Sequence, residues 1–211
     1  MAQSKSLILL VVFVFLSGCT GGVSEDDQDR LLKINDGLLE RDFEYAVPEA
    51  EAYTRDYPES PSGWCLLGWI YAKSDSLQEA QTCFDKTIAL DAEWDNAYVG
   101  KGVVFRKLGD NKNAKRCYLK AIEIYPENAE AFSSLLVIEI VNGDYKKAIE
   151  YGEKSWSLRK DSATIAGNLS LSYHYIGDNN KRDEYFKHAQ HLKYHNLETL
   201  QDIFKTESVE R

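Results

Sequence analysis

Apolar and polar residues along this chain recur with two nested periods. The shorter places apolar side chains three and four residues apart, the spacing of one face of an α-helix. The longer is 34 residues: segments beginning at Pro61, Asp95, Ala129 and Ala163 superimpose without insertions. Segment 95–128 sets Tyr98, Gly102, Phe105, Ala114, Tyr118, Ala121 and Pro126 at its positions 4, 8, 11, 20, 24, 27 and 32. Segment 61–94 has Trp64, Leu67, Gly68, Tyr71, Ala80 and Phe84 at 4, 7, 8, 11, 20 and 24, and segment 163–196 has Leu169, Ser170, Tyr173, Phe186 and Ala189 at 7, 8, 11, 24 and 27. Each unit reads as a hairpin of two helices, A and B, and a repeat of this length means a stack rather than a globule.

Small residues at positions 8 and 20 let the two helices approach, and aromatics at 4, 11 and 24 fill the wedge between units. Position 16 is Asp42, Ser76, Asp110, Asp144 and Asp178, a helix N-cap residue every time. Gly109, Gly143 and Gly177 at position 15 suit a left-handed residue closing helix A. Pro126 stops helix B.

These residues resemble the tetratricopeptide repeat, whose pattern is W-x2-L-G-x2-Y, then A-x3-F, then P. The resemblance implies an all-α fold, a right-handed superhelical stack of hairpins (an α-solenoid). The expected organisation is repeats at 61–94 and 95–128, a divergent one at 129–162, another at 163–196, and a capping helix and tail at 197–211. One period back, 27–60 reads as a degenerate N-terminal repeat, with Arg30, Lys33 and Gly37 in the aromatic and leucine places. Its Pro48 is expected to bend the second helix or delay its start. In the divergent unit, Gly152 is expected to make room for Leu136 and Trp156, and Glu139 at position 11 needs a partner or must tilt outward.

The N-terminus bears on location. Lys5 precedes ten apolar residues, Leu7 to Leu16, too few to cross a bilayer as a helix, which takes about 20. Leu16-Ser17-Gly18-Cys19 resembles a prokaryotic lipobox, so that 1–18 would be a signal peptide and Cys19 a lipidated first residue. An ordinary secretory signal and an uncleaved anchor are the alternatives. Residues 19–26 then form an acidic tether. This places the protein in the cell envelope, a lipoprotein facing the periplasm or the exterior. The formal charge of −9, with no sustained basic stripe, argues against nucleic acid.

Catalytic motifs are not evident: Lys101-Gly102 lacks the phosphate-loop frame, and G-x-S-x-G, H-E-x-x-H and paired C-x-x-C do not occur. The reading is a non-enzyme without a cofactor. An alternative is a metal-binding or thiol-dependent envelope protein. His188, His191 and His195 share a face if the last helix B runs through Tyr194. Cys65, Cys83 and Cys117 are expected to be free thiols, with a Cys83–Cys117 bridge as the other option.

The resemblance further implies a concave groove lined by positions 2, 5, 9, 12 and 13 of the A helices. On this chain its candidate residues are Cys65, Trp69 and Lys73; Val99, Val103, Arg106 and Lys107; Val137, Ile140 and Val141; and Leu171, His174 and Tyr175. That is an apolar trough with cations at one lip. The expected function is a membrane-tethered scaffold or assembly factor, holding in this groove a protein segment with apolar anchors and some acidic character.

Overall fold

The computed structural model describes residues 25–206, and side chains from 26 to 205. Among these residues eleven helices follow one another with no strand. They are α1 (Glu25–Glu40), α2 (Phe43–Asp56), α3 (Pro61–Lys73), α4 (Leu77–Leu90), α5 (Asp95–Lys107), α6 (Asn111–Ile124), α7 (Ala129–Val141), α8 (Tyr145–Leu158), α9 (Ala163–Tyr175), α10 (Asn179–His191) and α11 (Leu197–Thr206). Odd-numbered helices up to α9 are the A helices and even-numbered ones the B helices. Each A helix packs on its own B helix, and each B helix packs on the A helix that follows. Apolar clusters run in line along the stack, so contacts stay local, as in an α-solenoid.

The hairpin turns explain why helices start and stop where they do. Gly109, Gly143 and Gly177 take φ of 81°, 76° and 80°. The amide of the next residue then reaches back five positions, as from Asp110 to the Phe105 carbonyl at 2.9 Å, satisfying a carbonyl at the helix end. Arg41 and Asp75 hold the same position in the first two hairpins at φ 60° and 71°, a conformation that strains any residue with a Cβ. Asp42, Asp110, Asp144 and Asp178 each cap their B helix by accepting the amide three residues on; Ser76 has the right backbone but makes no such bond. A second row of caps serves the A helices: Ser60, Asn128 and Ser162 accept from Gly63, Ala131 and Ile165.

Between hairpins, rings fill the wedge. Phe84 is wholly buried, and a Cβ on either Gly68 of its own unit or Gly100 of the next would strike its ring. Tyr118 stands in the same relation to Gly102. Each such ring removes about 150–250 Å² from water, a large share of what joins one unit to the next. Glu153 ties three helices, accepting the hydroxyls of Tyr173 and Tyr185 at 2.7 Å each.

Three expectations are corrected or resolved. Pro48 neither delays nor interrupts α2, which starts at Phe43 behind its Asp42 cap and buries Ala46, Ala50 and Tyr53 on one face. Packing and the cap outweigh one missing amide. Gly152 makes room for Leu169 of the next unit and for Leu136, rather than for Trp156. Glu139 is 2% exposed and ion-paired with Lys115 of the preceding B helix.

Candidate functional site

Positions 9 and 13 of successive A helices face a common trough, but position 5 does not. Cys65 and Val99 are buried in the clusters that join α3 to α4 and α5 to α6, leaving 4% and 1% of their surface exposed. At about 100° per residue position 5 lies only about 40° from position 9, but at these two places the side chains of the partner helix and of the next unit close over it. Those two residues therefore leave the proposed lining.

The best-formed part of the trough is a cavity of about 450 Å³ near its N-terminal end. Trp69, Lys73, Asn96 and Glu130 line it, together with Asn35, Leu38, Leu39 and Arg41 of the first hairpin. The latter four escaped the sequence reading, although 35 and 39 are positions 9 and 13 counted back one further period. The degenerate motif of 27–60 concealed that its inner face still continues the trough. The Trp69 indole donates to the Asn96 Oδ1 at 3.0 Å, and an edge-to-face contact with Phe84 (5.6 Å between centroids) holds the ring. Asn96 is thus oriented with its amide NH₂ still available. Leu39 is 52% exposed, an apolar group held in water beside two cations, Arg41 and Lys73.

The cationic lip is narrower than expected. Lys107 turns away to bond the Ala72 carbonyl at 2.7 Å and the Asp75 carboxylate at 2.9 Å, so its ammonium serves the end of α3. Arg106 remains exposed. Further along, Val103, Val137, Ile140 and Leu171 are half-buried, and Val141 is 68% exposed. Tyr175 stacks on Tyr145 at 4.3 Å. His174 does not line the trough: it is 6% exposed and packs against Phe204 of α11, 4.8 Å between ring centroids. The last helix covers the end of the stack as an A helix of a further unit would.

The alternative chemistries lose their geometry. Helix α10 ends at His191, and Lys193 turns left-handed at φ 59°, so His195 leaves the face that His188 and His191 occupy. His188 lies against Trp156 and Tyr185, at 5.2 and 6.2 Å. Cys65, Cys83 and Cys117 are free thiols. Burial pushes Cys65 and Cys83 up to about 12 and also raises Cys117, leaving very little thiolate at neutral pH. Cys19 lies outside the described residues. Among those described, no helix is long and apolar enough to cross a membrane.

Comparison with known proteins agrees with this geometry. Tetratricopeptide repeat family models match residues 61–93 and 96–128. Anaphase-promoting complex subunit 3 of Schizosaccharomyces pombe is 27% identical over 106 residues, half of this chain and 16% of that protein. The human mitochondrial import receptor subunit TOM70 is 26% identical over 127 residues, 60% of this chain and 21% of that protein. The chain thus spans less than a quarter of either relative. Among solved structures, Pseudomonas aeruginosa pilF aligns with a TM-score of 0.74 at 16% identity, covering 85% of each chain. MamA of Desulfovibrio magneticus RS-1 aligns at 0.64 and 20% identity, covering 82% of this chain and 97% of that one. Identities this low speak to the fold alone. Residues 61–128 carry two tetratricopeptide repeats, within an α-solenoid of like hairpins.

Proposed function

We propose that this protein is a membrane-tethered interaction scaffold of the cell envelope, anchored by a lipid on Cys19 and acting by binding rather than by catalysis. The trough between the A helices takes an extended segment of another protein, one with apolar anchors and acidic side chains. The observation that carries this is the cavity at the N-terminal end, where an exposed leucine, a braced Trp69 and an oriented Asn96 amide stand beside Arg41 and Lys73. Exposed apolar groups rimmed by fixed polar ones suit a peptide, whose side chains fill the pocket while its backbone meets the amide. The names of the relatives, an import receptor subunit and a subunit of a complex, lend the reading support. A tether then works by concentration, holding the partner near the membrane.

Crosslinking in intact cells, followed by mass spectrometry, tests both halves. Trp69→Ala combined with Arg41→Glu should lose the wild-type crosslinked partner while keeping the helical circular dichroism spectrum. An unchanged partner set would refute the trough. Cys19→Ala should move the protein out of the membrane fraction, and its staying there would refute the lipid anchor.

A further inference from the structure

A second cavity, of about 420 Å³, opens on the other side of α5. Its walls include Tyr98, Lys101 and Phe105 of α5 and Arg116, Cys117 and Lys120 of α6. At about 100° per residue, Tyr98, Lys101 and Phe105 lie roughly opposite Asn96, Val103 and Lys107 on the helix, so this is not the trough.

Its origin is legible in the repeat. Position 7 is Leu67, Leu135 and Leu169 in the other three full units, each at most 3% exposed and closing the gap behind the A helix. In this unit it is Lys101. (Lys33 holds the place in the first hairpin and is exposed.) Lys101 points outward to Asp85 of α4, Nζ to Oδ1 2.5 Å, with its ammonium 5.9 Å from the Phe105 ring centre. Position 22, Thr82, Glu150 and Glu184 in the other three full units, is Arg116 here, and Lys120 follows one helical turn later on the same face. No carboxylate lines the cavity; Asp85 and Glu123 pair with Lys101 and Lys120 from outside it. The unit 95–128 has seven Lys and Arg against four Asp and Glu, in a chain of net charge −9. A leucine has been exchanged for a lysine at a core position, a change that costs packing and gains a cationic, aromatic-walled recess.

We infer that this recess is a second binding site, on the outer face of the stack, for an acidic segment of a protein partner. Its carboxylates would pair with Arg116, Lys101 and Lys120, and the apolar parts of its side chains would lie on Tyr98 and Phe105. The net charge of −9 over the chain disfavours a long polyanion and suits a few carboxylates held one at a time. The site shares no lining residue with the trough cavity.

Calorimetric titration of the full chain with a hexaglutamate peptide at low ionic strength tests this, with hexalysine and inorganic phosphate as further arms. Hexaglutamate should bind, weaken with added salt, and bind at least tenfold more weakly to Arg116→Glu and to Lys101→Leu. Trp69→Ala combined with Arg41→Glu, which disables the trough, should keep the hexaglutamate heat that Arg116→Glu loses, so failure of the trough reading and failure of this one are separable. Lys101→Leu restores the leucine of the other three full units and should raise the Tm while weakening peptide binding by that factor. The inference is overturned by absence of peptide heat, by phosphate binding alone, by hexalysine binding equally well, or by unaltered affinity in both variants. A Lys101→Leu protein that melts lower and still binds would show the lysine to be a structural ion-pair partner only.

Discussion

Single residues in this stack answer to their neighbours in the next unit more than to their own hairpin. Glu139 replaces an aromatic at position 11 and is held by Lys115, whose side chain remains about one-third exposed. Removing the lysine strands a buried carboxylate, whereas removing the acid leaves an ammonium that can reach water. Lys115→Met should therefore destabilise by about 2–3 kcal/mol, and adding Glu139→Leu should recover most of that loss. Urea denaturation of the two single variants and the double variant measures it; strictly additive losses would mean the pair is uncoupled. The cysteines give a second residue-scale outcome. Cys65 and Cys83 have their thiols pushed up to about 12 by burial, while Cys117 borders the outer recess. A maleimide at neutral pH should alkylate Cys117 first and the other two only with unfolding, which mass mapping of the timed reaction will show.

Elements are set by their ends. All five B helices of the hairpins begin after the same turn, yet Ser76 alone among the position-16 residues leaves its helix uncapped. Its backbone, φ −81° and ψ 72°, matches that of Asp110 at −87° and 72°. Ser76→Asp should thus gain the missing bond and about 0.5–1 kcal/mol, read as a rise in Tm. The existing caps make the stack acid-sensitive. Amide hydrogen bonds from Asn113 hold the Asp110 carboxyl below the usual range, and the Lys147 ammonium, followed by its backbone amide, lowers that of Asp144. A carboxyl whose pKa is lower folded than unfolded stabilises above about 3.9, and that contribution is lost as pH falls through the lowered value. The urea midpoint should be level near neutrality, decline below about pH 4, and decline less in Asp144→Asn. Helix ends, the left-handed glycines and the wedge rings could all be read from the sequence because each rests on local chemistry repeated at a fixed period. The trough was read less well. Position 5 belongs to the core only once the partner helix is in place, which removes Cys65 and Val99. Lys107 looks like a free cation until the Ala72 carbonyl is seen within its reach. Arg41 and Leu39 were hidden because the first repeat has lost its aromatics while keeping its inner face.

At the scale of the whole molecule, each hairpin contacts only those beside it, so stability is a sum of units and of the interfaces between them. Phe84 sits at the seam between the second and third hairpins, against Gly68 on one side and Gly100 on the other. Neither glycine can refill the space, so Phe84→Ala should leave a cavity and cost about 3–5 kcal/mol at that seam. The loss should be local. Hydrogen exchange should show α3 to α6 losing protection strongly, while α9 and α10, tied together through Glu153, Tyr173 and Tyr185, retain nearly all of theirs. Both binding regions draw on this seam: Trp69 of the trough leans on Phe84, and Lys101 of the outer recess reaches across to Asp85. The same substitution should therefore weaken hexaglutamate binding and partner crosslinking together, although it removes no residue that lines either cavity. Uniform loss of protection along the chain would instead mean that the repeats open as one cooperative body, and the nearest-neighbour account of this stack would fail.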